Sequence, residues 1–124
     1  IKRSDSKWQD VSEAEIEEYG GLLAHMDAVD FRYFLPAYMC YSLKHIYDTP
    51  AWEQEVIGST VFNLLPDRKD SDLNLYKFEQ LSLLNIEQQH VVIDFLEFVS
   101  KYADEFERPD ALKALEFWYD QRNN

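Results

Sequence analysis

From Phe31 to Tyr41 the chain reads Phe-Arg-Tyr-Phe-Leu-Pro-Ala-Tyr-Met-Cys-Tyr, a run in which Arg32 is the one charged residue. Beyond Pro36 only Ser42, Lys44 and His45 interrupt the apolar and aromatic character before Asp48. As a helix, this segment is apolar around nearly its whole circumference, and such a helix has to be surrounded by other elements. The rest of the fold is therefore expected to be built around it. Pro36 fits best in a first helical turn, where its missing amide costs nothing, so the central helix is expected over 36–47, from Pro36 or slightly earlier.

The surrounding chain is strongly acidic, with 24 Asp plus Glu against 12 Lys plus Arg and a formal net charge of −12. Hydrophobic residues still make up 46% and aromatics 15%, which is too apolar for a disordered chain, so the charge belongs on the outside. A length of 124 residues suits one core, and a single helical domain over 1–124 is expected. The negative field disfavours nucleic acid and membrane surfaces and attracts cationic partners. No run approaches the ~20 apolar residues that span a bilayer, and no secretory signal pattern is visible. A cytoplasmic location is expected on those grounds. Cys40, the single cysteine, excludes an intrachain disulfide and a multi-cysteine zinc site. Its apolar neighbours predict a small buried hydrophobe rather than a nucleophile.

Lys2, Arg3 and Lys7 make 1–7 polar, which predicts a flexible lead-in, and Trp8 is expected to anchor the chain. Ser12 with Glu15 is a reciprocal capping pair, opening a helix whose apolar face is Ile16, Tyr19, Leu22, Leu23 and Met26. Gly20 and Gly21 weaken its middle by about 1 kcal/mol each relative to Ala, which predicts a break or a close helix contact. Thr49 and Pro50 start the next helix, with Trp52, Val56, Ile57, Thr60, Val61, Leu64 and Leu65 as its stripe and Pro66 as its end. Residues 66–75 read as an exposed loop, and Leu73 to Leu84 as a loop with a short helical turn. Asn85 and Gln88 cap the longest helix, over 86–105, which buries Val92, Phe95, Leu96, Val99, Tyr102, Ala103 and Phe106. On its outer side Glu97 and Lys101 are spaced to pair. Pro109 nucleates a last helix with Ala111, Leu112, Leu115, Trp118 and Tyr119 inward. The fold class is all-α, an irregular bundle of about five helices around 36–47.

Of the three histidines, His25, His45 and His90, only His90 sits three residues after a glutamate, Glu87. Carboxylate-bridged di-iron bundles need that half-motif twice, with glutamates from two further helices, so no metal site is expected. There is no Gly-x-Ser-x-Gly elbow, glycine-rich phosphate loop or His-Glu-x-x-His pair. Adjacent carboxylates such as Glu17 and Glu18, or Asp104 and Glu105, read as solvated helix faces rather than a glycosidase pair. No catalytic residue and no cofactor are expected.

Charge placement says more. From Asp10 to Asp30 there are seven acids and no Lys or Arg, and from Glu87 to Asp110 seven more against Lys101 and Arg108. The plain reading is a generally acidic protein. The sharper one is a docking face for a basic protein, with Glu13, Glu17 and Glu18 on one surface and Asp94, Glu97, Asp104 and Glu105 on another.

Trp8, the run from Phe31 to Met39, Leu84-Asn85-Ile86-Glu87-Gln88 leading into Phe95-Leu96-Glu97, and Ala114-Leu115-Glu116-Phe117-Trp118 together resemble a small bacterial family of unknown function. The resemblance spans most of the chain and implies a helical bacterial protein; it transfers no catalytic residue. Arg32 within the aromatic run is expected in a structural ion pair. The functional expectation is an acidic protein-binding module, most concretely an immunity protein neutralising a basic bacterial toxin domain. The alternatives are a helical adaptor or structural domain and an enzyme with an unrecognised site.

Overall fold

The computed structural model describes residues 7–48, 55–66, 71–103 and 107–123. Among them are six α-helices, two short 3-10 turns and no strand, so the fold is all-α. Most of the lead-in, the Thr49–Pro50 helix start with Trp52, positions 67–70, and Asp104, Glu105 and Phe106 lie outside the described residues.

Trp8 opens a 3-10 turn and packs, half-buried, against the core, as an anchor should. Helix α1 (Glu13–Glu18) begins where Ser12 Oγ accepts the Glu15 amide at 3.2 Å, while the Ser12 hydroxyl donates to Glu15 Oε1. It stops before Gly20 and Gly21, and the chain re-forms as a 3-10 turn over Leu22–His25. The glycines mark both a break and a close approach, since a Cβ on Gly20 would lie 3.4 Å from side-chain atoms of Glu55 and Val56.

The central helix, α2, runs Ala28–Lys44, eight residues earlier at its start than Pro36 suggested. Asp27 is the true cap, its carboxylate accepting the Asp30 amide at 2.8 Å. Pro36 therefore sits inside the helix, where the lost hydrogen bond and ring clash cost about 3 kcal/mol. Burial of Phe31, Phe34, Leu35, Tyr38 and Met39 on the same helix offsets that cost. Tyr38, fully buried, donates its hydroxyl to Tyr19 O at 2.7 Å, and burial raises its pKa to about 12. Two expectations on α2 fail. Cys40 is exposed and Arg32 projects outward with no ion pair among the described residues, because α2 is not enclosed on every side.

Helix α3 (Glu55–Phe62) buries Val56, Ile57, Thr60 and Val61 along the expected stripe, and Leu64 follows in the turn. Helix α4 (Ser71–Leu81) takes up residues 71–75 of the loop expected over 66–75 and most of the irregular stretch after it. Its burial departs from simple amphipathicity: Leu81 is buried, but so is Gln80, which is 1% exposed, whereas Leu75 is 69% exposed. Gln80 Nε2 donates to the carbonyls of Leu23 at 3.1 Å and Met26 at 2.6 Å. Lys77 Nζ donates to Gln80 Oε1 and, at 2.8 Å, to Asn63 Oδ1, and stands 5.2 Å from the centre of the Phe31 ring. Burial lowers the Lys77 pKa to about 8.

Helix α5 (Ile86–Tyr102) starts with the full capping box of Asn85 and Gln88, as the sequence predicts, and ends before 105. Helix α6 (Arg108–Asn123) follows the buried Glu107, one of the acids the charge pattern placed on a solvated face. Tyr102 and Leu112, expected inward, are more than half exposed, and Phe117 is buried instead. α2 packs on α3 and α4 and touches α1 and both 3-10 turns; α5 packs on α6, and α6 on α3. Trp118 Nε1 donates to Leu64 O at 2.8 Å, joining the two groups of helices. Between α2 and α5 the bundle stays open.

Candidate protein-docking site

The two acidic surfaces flank α2 and are built differently. At the C-terminal end of α2, Lys44 Nζ lies 2.7 Å from Glu13 Oε1, which is also 3.3 Å from His45 Nε2, an ion-pair contact without hydrogen-bond geometry. His45 Nδ1 closes on Asp48 Oδ2, and the Tyr41 hydroxyl donates to Glu17 Oε1 at 2.7 Å. The Tyr41 and His45 rings pack with centroids 4.3 Å apart.

These partners set the titrations. The hydrogen bond from Lys44 holds the Glu13 carboxyl below its usual value, and Glu13 in turn raises Lys44. His45 is raised above 6.5 by its hydrogen bond to Asp48 and by Glu13, against a desolvation that lowers it. The Tyr41 hydroxyl is pushed up by burial and by Glu17. Both Glu13 and Glu17 are thus spent on holding α1 against α2. Of the expected trio only Glu18 is exposed and without a partner among the described residues.

On α5, Glu97 is likewise engaged, accepting the Tyr119 hydroxyl at 2.7 Å. Asp94 is exposed and makes no hydrogen bond or ion pair with the described residues. It stands on the lip of an open groove of about 470 Å³ between α2 and α5, with Trp8, Pro36, Met39, Cys40, Leu43, Val91, Phe95 and Phe98 as the other walls. Asp94 is the only charged side chain in that lining. Trp8 and Cys40 also border a smaller cleft of about 220 Å³, which reaches Glu13 and Lys44.

Sequence reasoning placed Asp94 on an outer face but missed the apolar residues beside it. The available signal was that Val91 and Phe98, seven apart, lie outside the buried stripe of α5. Apolar side chains off the stripe, two turns apart, mark a second apolar face. Glu87 and His90 are both exposed on α5, His25 is exposed at the end of its 3-10 turn, and no cluster of three or more metal-ligating side chains occurs among the described residues. No helix among the described residues is long and apolar enough to cross a membrane.

Comparison with curated proteins and with solved structures returned no match. The sequence profile of one family, described as "Family of unknown function (DUF6714)", covers residues 1–123. The chain belongs to that family, in agreement with the resemblance carried by its aromatic run and its capped fifth helix.

Proposed function

We propose that this chain is an acidic module that binds a basic protein and, in its most concrete form, an immunity protein that occupies the active surface of a basic toxin domain. The observation that carries the reading is charge left without internal neutralisation. The chain bears a formal net charge of −12, and its exposed carboxylates at Glu18 and Asp94 have no partner among the described residues. Such carboxylates can stand where a nuclease expects phosphates, and a one-signed surface accelerates encounter with an oppositely charged partner. Glu13, Glu17 and Glu97 support the docking face by shaping it rather than by pairing across it, since each already has a partner in the fold.

The test is capture of basic proteins from the source cell at low salt, followed by association kinetics on each. Exposed charges are screened beyond about 8 Å at physiological ionic strength, so the association rate should fall steadily as salt rises. Reversing Glu18 and Asp94 to Lys should slow association by about tenfold. Recovery of no basic partner, or a rate indifferent to both salt and charge reversal, removes the basis of the proposal.

A further inference from the structure

We propose that the α2–α5 groove is the seat of an amphipathic helix from that basic partner, with apolar anchors against Trp8, Leu43, Val91 and Phe98 and one Lys or Arg on Asp94; the inference rests on the basic-partner reading above. The groove is the right kind of surface for a helix. Its walls are apolar apart from Asp94, and its rim stays uncovered, with Leu43 39%, Val91 53% and Phe98 37% exposed. The rim continues beyond the groove to Tyr102, whose ring packs on Phe98 at 4.6 Å. An elongated apolar strip of this kind matches the anchors that a helix presents every three, four and seven residues. A compact small molecule would leave much of it wet.

Asp94 decides the charge of the occupant. Covering the groove with a purely apolar surface would take this carboxylate out of water without a partner, which is strongly unfavourable. An occupant that brings a cation removes the penalty and gains a charge-assisted hydrogen bond. A second copy of this chain is a poor occupant, because each copy carries a formal net charge of −12. Self-association would bring two like-signed fields together.

Cys40 supplies the reporter, since it is the single cysteine, exposed, and part of the groove wall. The probes are three synthetic helical peptides of about 18 residues, roughly five turns. The first has a Leu/Phe stripe flanked by Lys, the second the same stripe flanked by Glu, and the third the Lys flanks with Ser and Ala in place of the stripe. Binding to the full chain is read by fluorescence anisotropy and by the rate of Cys40 alkylation with a maleimide.

The first peptide should bind and slow alkylation by about tenfold, and Phe98→Glu or Val91→Glu should weaken it by a similar factor. Asp94→Lys should shift preference from the Lys-flanked to the Glu-flanked stripe. Chain already alkylated at Cys40 with a bulky maleimide should lose the first peptide, an arm that needs no substitution. If the first peptide binds while Cys40 stays reactive and Phe98→Glu has no effect, the groove is not the seat, although a basic partner still docks on the carboxylates. Equal binding of the third peptide, or a preference that ignores Asp94→Lys, overturns the groove in the same way. Binding of none of the peptides overturns it too, and leaves the basic-partner reading to its own salt test. A dimer in sedimentation that Phe98→Glu dissolves would show that a second copy covers the groove and overturn the inference.

Discussion

The stretches of chain beside the two flanks of α2 carry seven acids each, and the flanks use theirs in opposite ways. Toward α1, Glu13 and Glu17 turn inward onto Lys44, His45 and Tyr41, and the flank is closed by polar contacts. Toward α5, Asp94 has no partner and stands beside uncovered Val91, Phe98 and Leu43. The difference shows that a count of carboxylates does not locate a docking face. What matters is whether a neighbouring element engages them: α2 places Tyr41, Lys44 and His45 within reach of α1, whereas no side chain lining the groove forms a hydrogen bond or ion pair with Asp94 among the described residues.

The largest effect expected from breaking this contrast lies within α5 itself. Leu96 is 0% exposed and faces the core, whereas Phe98, two residues on, faces the groove. Leu96→Ala should destabilise the fold by about 2–5 kcal/mol, because it removes buried methyl groups and leaves a cavity. Phe98→Ala should cost less, about 1–2 kcal/mol, since its ring is 37% exposed and only part of its burial is lost. Urea unfolding of the two variants checks this. Equal losses would mean that the groove wall is core and that the two flanks of α2 are not distinct.

A second, smaller effect sharpens the contrast from the third side of α2, where α4 lies. Gln80→Leu should cost about 1–3 kcal/mol in thermal or urea unfolding, because the carbonyls of Leu23 and Met26 lose a buried donor. The same buried cluster gives a pH signature. The Lys77 pKa falls to about 8 from 10.5, so between those values the unfolded chain holds a proton that the fold has released. Stability should therefore rise with pH from about 8 toward 10, and that rise should vanish in Lys77→Met. A flat profile in the native chain would show that Lys77 is more solvated than its contacts with Asn63 and Phe31 imply.

These residues also explain how far the sequence could be read. The caps at Ser12 and Asn85 and the break at Gly20–Gly21 are local: each cap is a side chain meeting its own backbone three residues away, and the break reflects the backbone freedom of two adjacent glycines. The start of α2 was misplaced because the proline rule weighs local cost alone, while Asp27 and the burial of Phe31 and Phe34 outweigh it. α4 was hidden because it buries Lys77 and Gln80 and exposes Leu75 and Phe78. No periodicity rule predicts that a glutamine is buried on a helix that exposes Leu75, since the carbonyls of Leu23 and Met26 that satisfy Gln80 come from more than 50 residues away. For the candidate site, the outward position of Asp94 was legible, and its isolation was not. That isolation depends on which side chains line the opposite wall, a fact of packing.

The smallest expected effect separates the flanks by titration. His45 is raised above 6.5 by Asp48 first and by Glu13 next, so the fold favours its protonated form. A group raised in this way contributes stability that is fully present below 6.5 and is lost as pH rises through the folded value. The stability difference between the native chain and His45→Gln should therefore shrink as pH climbs from 6 toward 9, in a range where the carboxylates are already ionised. Proton NMR of the His45 ring gives the value directly. Glu13→Gln and Asp48→Asn should each move it back down, Asp48→Asn by the larger amount. Asp94→Asn, on the other flank, should leave it in place. A His45 titration that follows Asp94 as closely as Glu13 would mean that the two flanks share one electrostatic environment, and the contrast between a closed polar side and an open apolar side of α2 would fail.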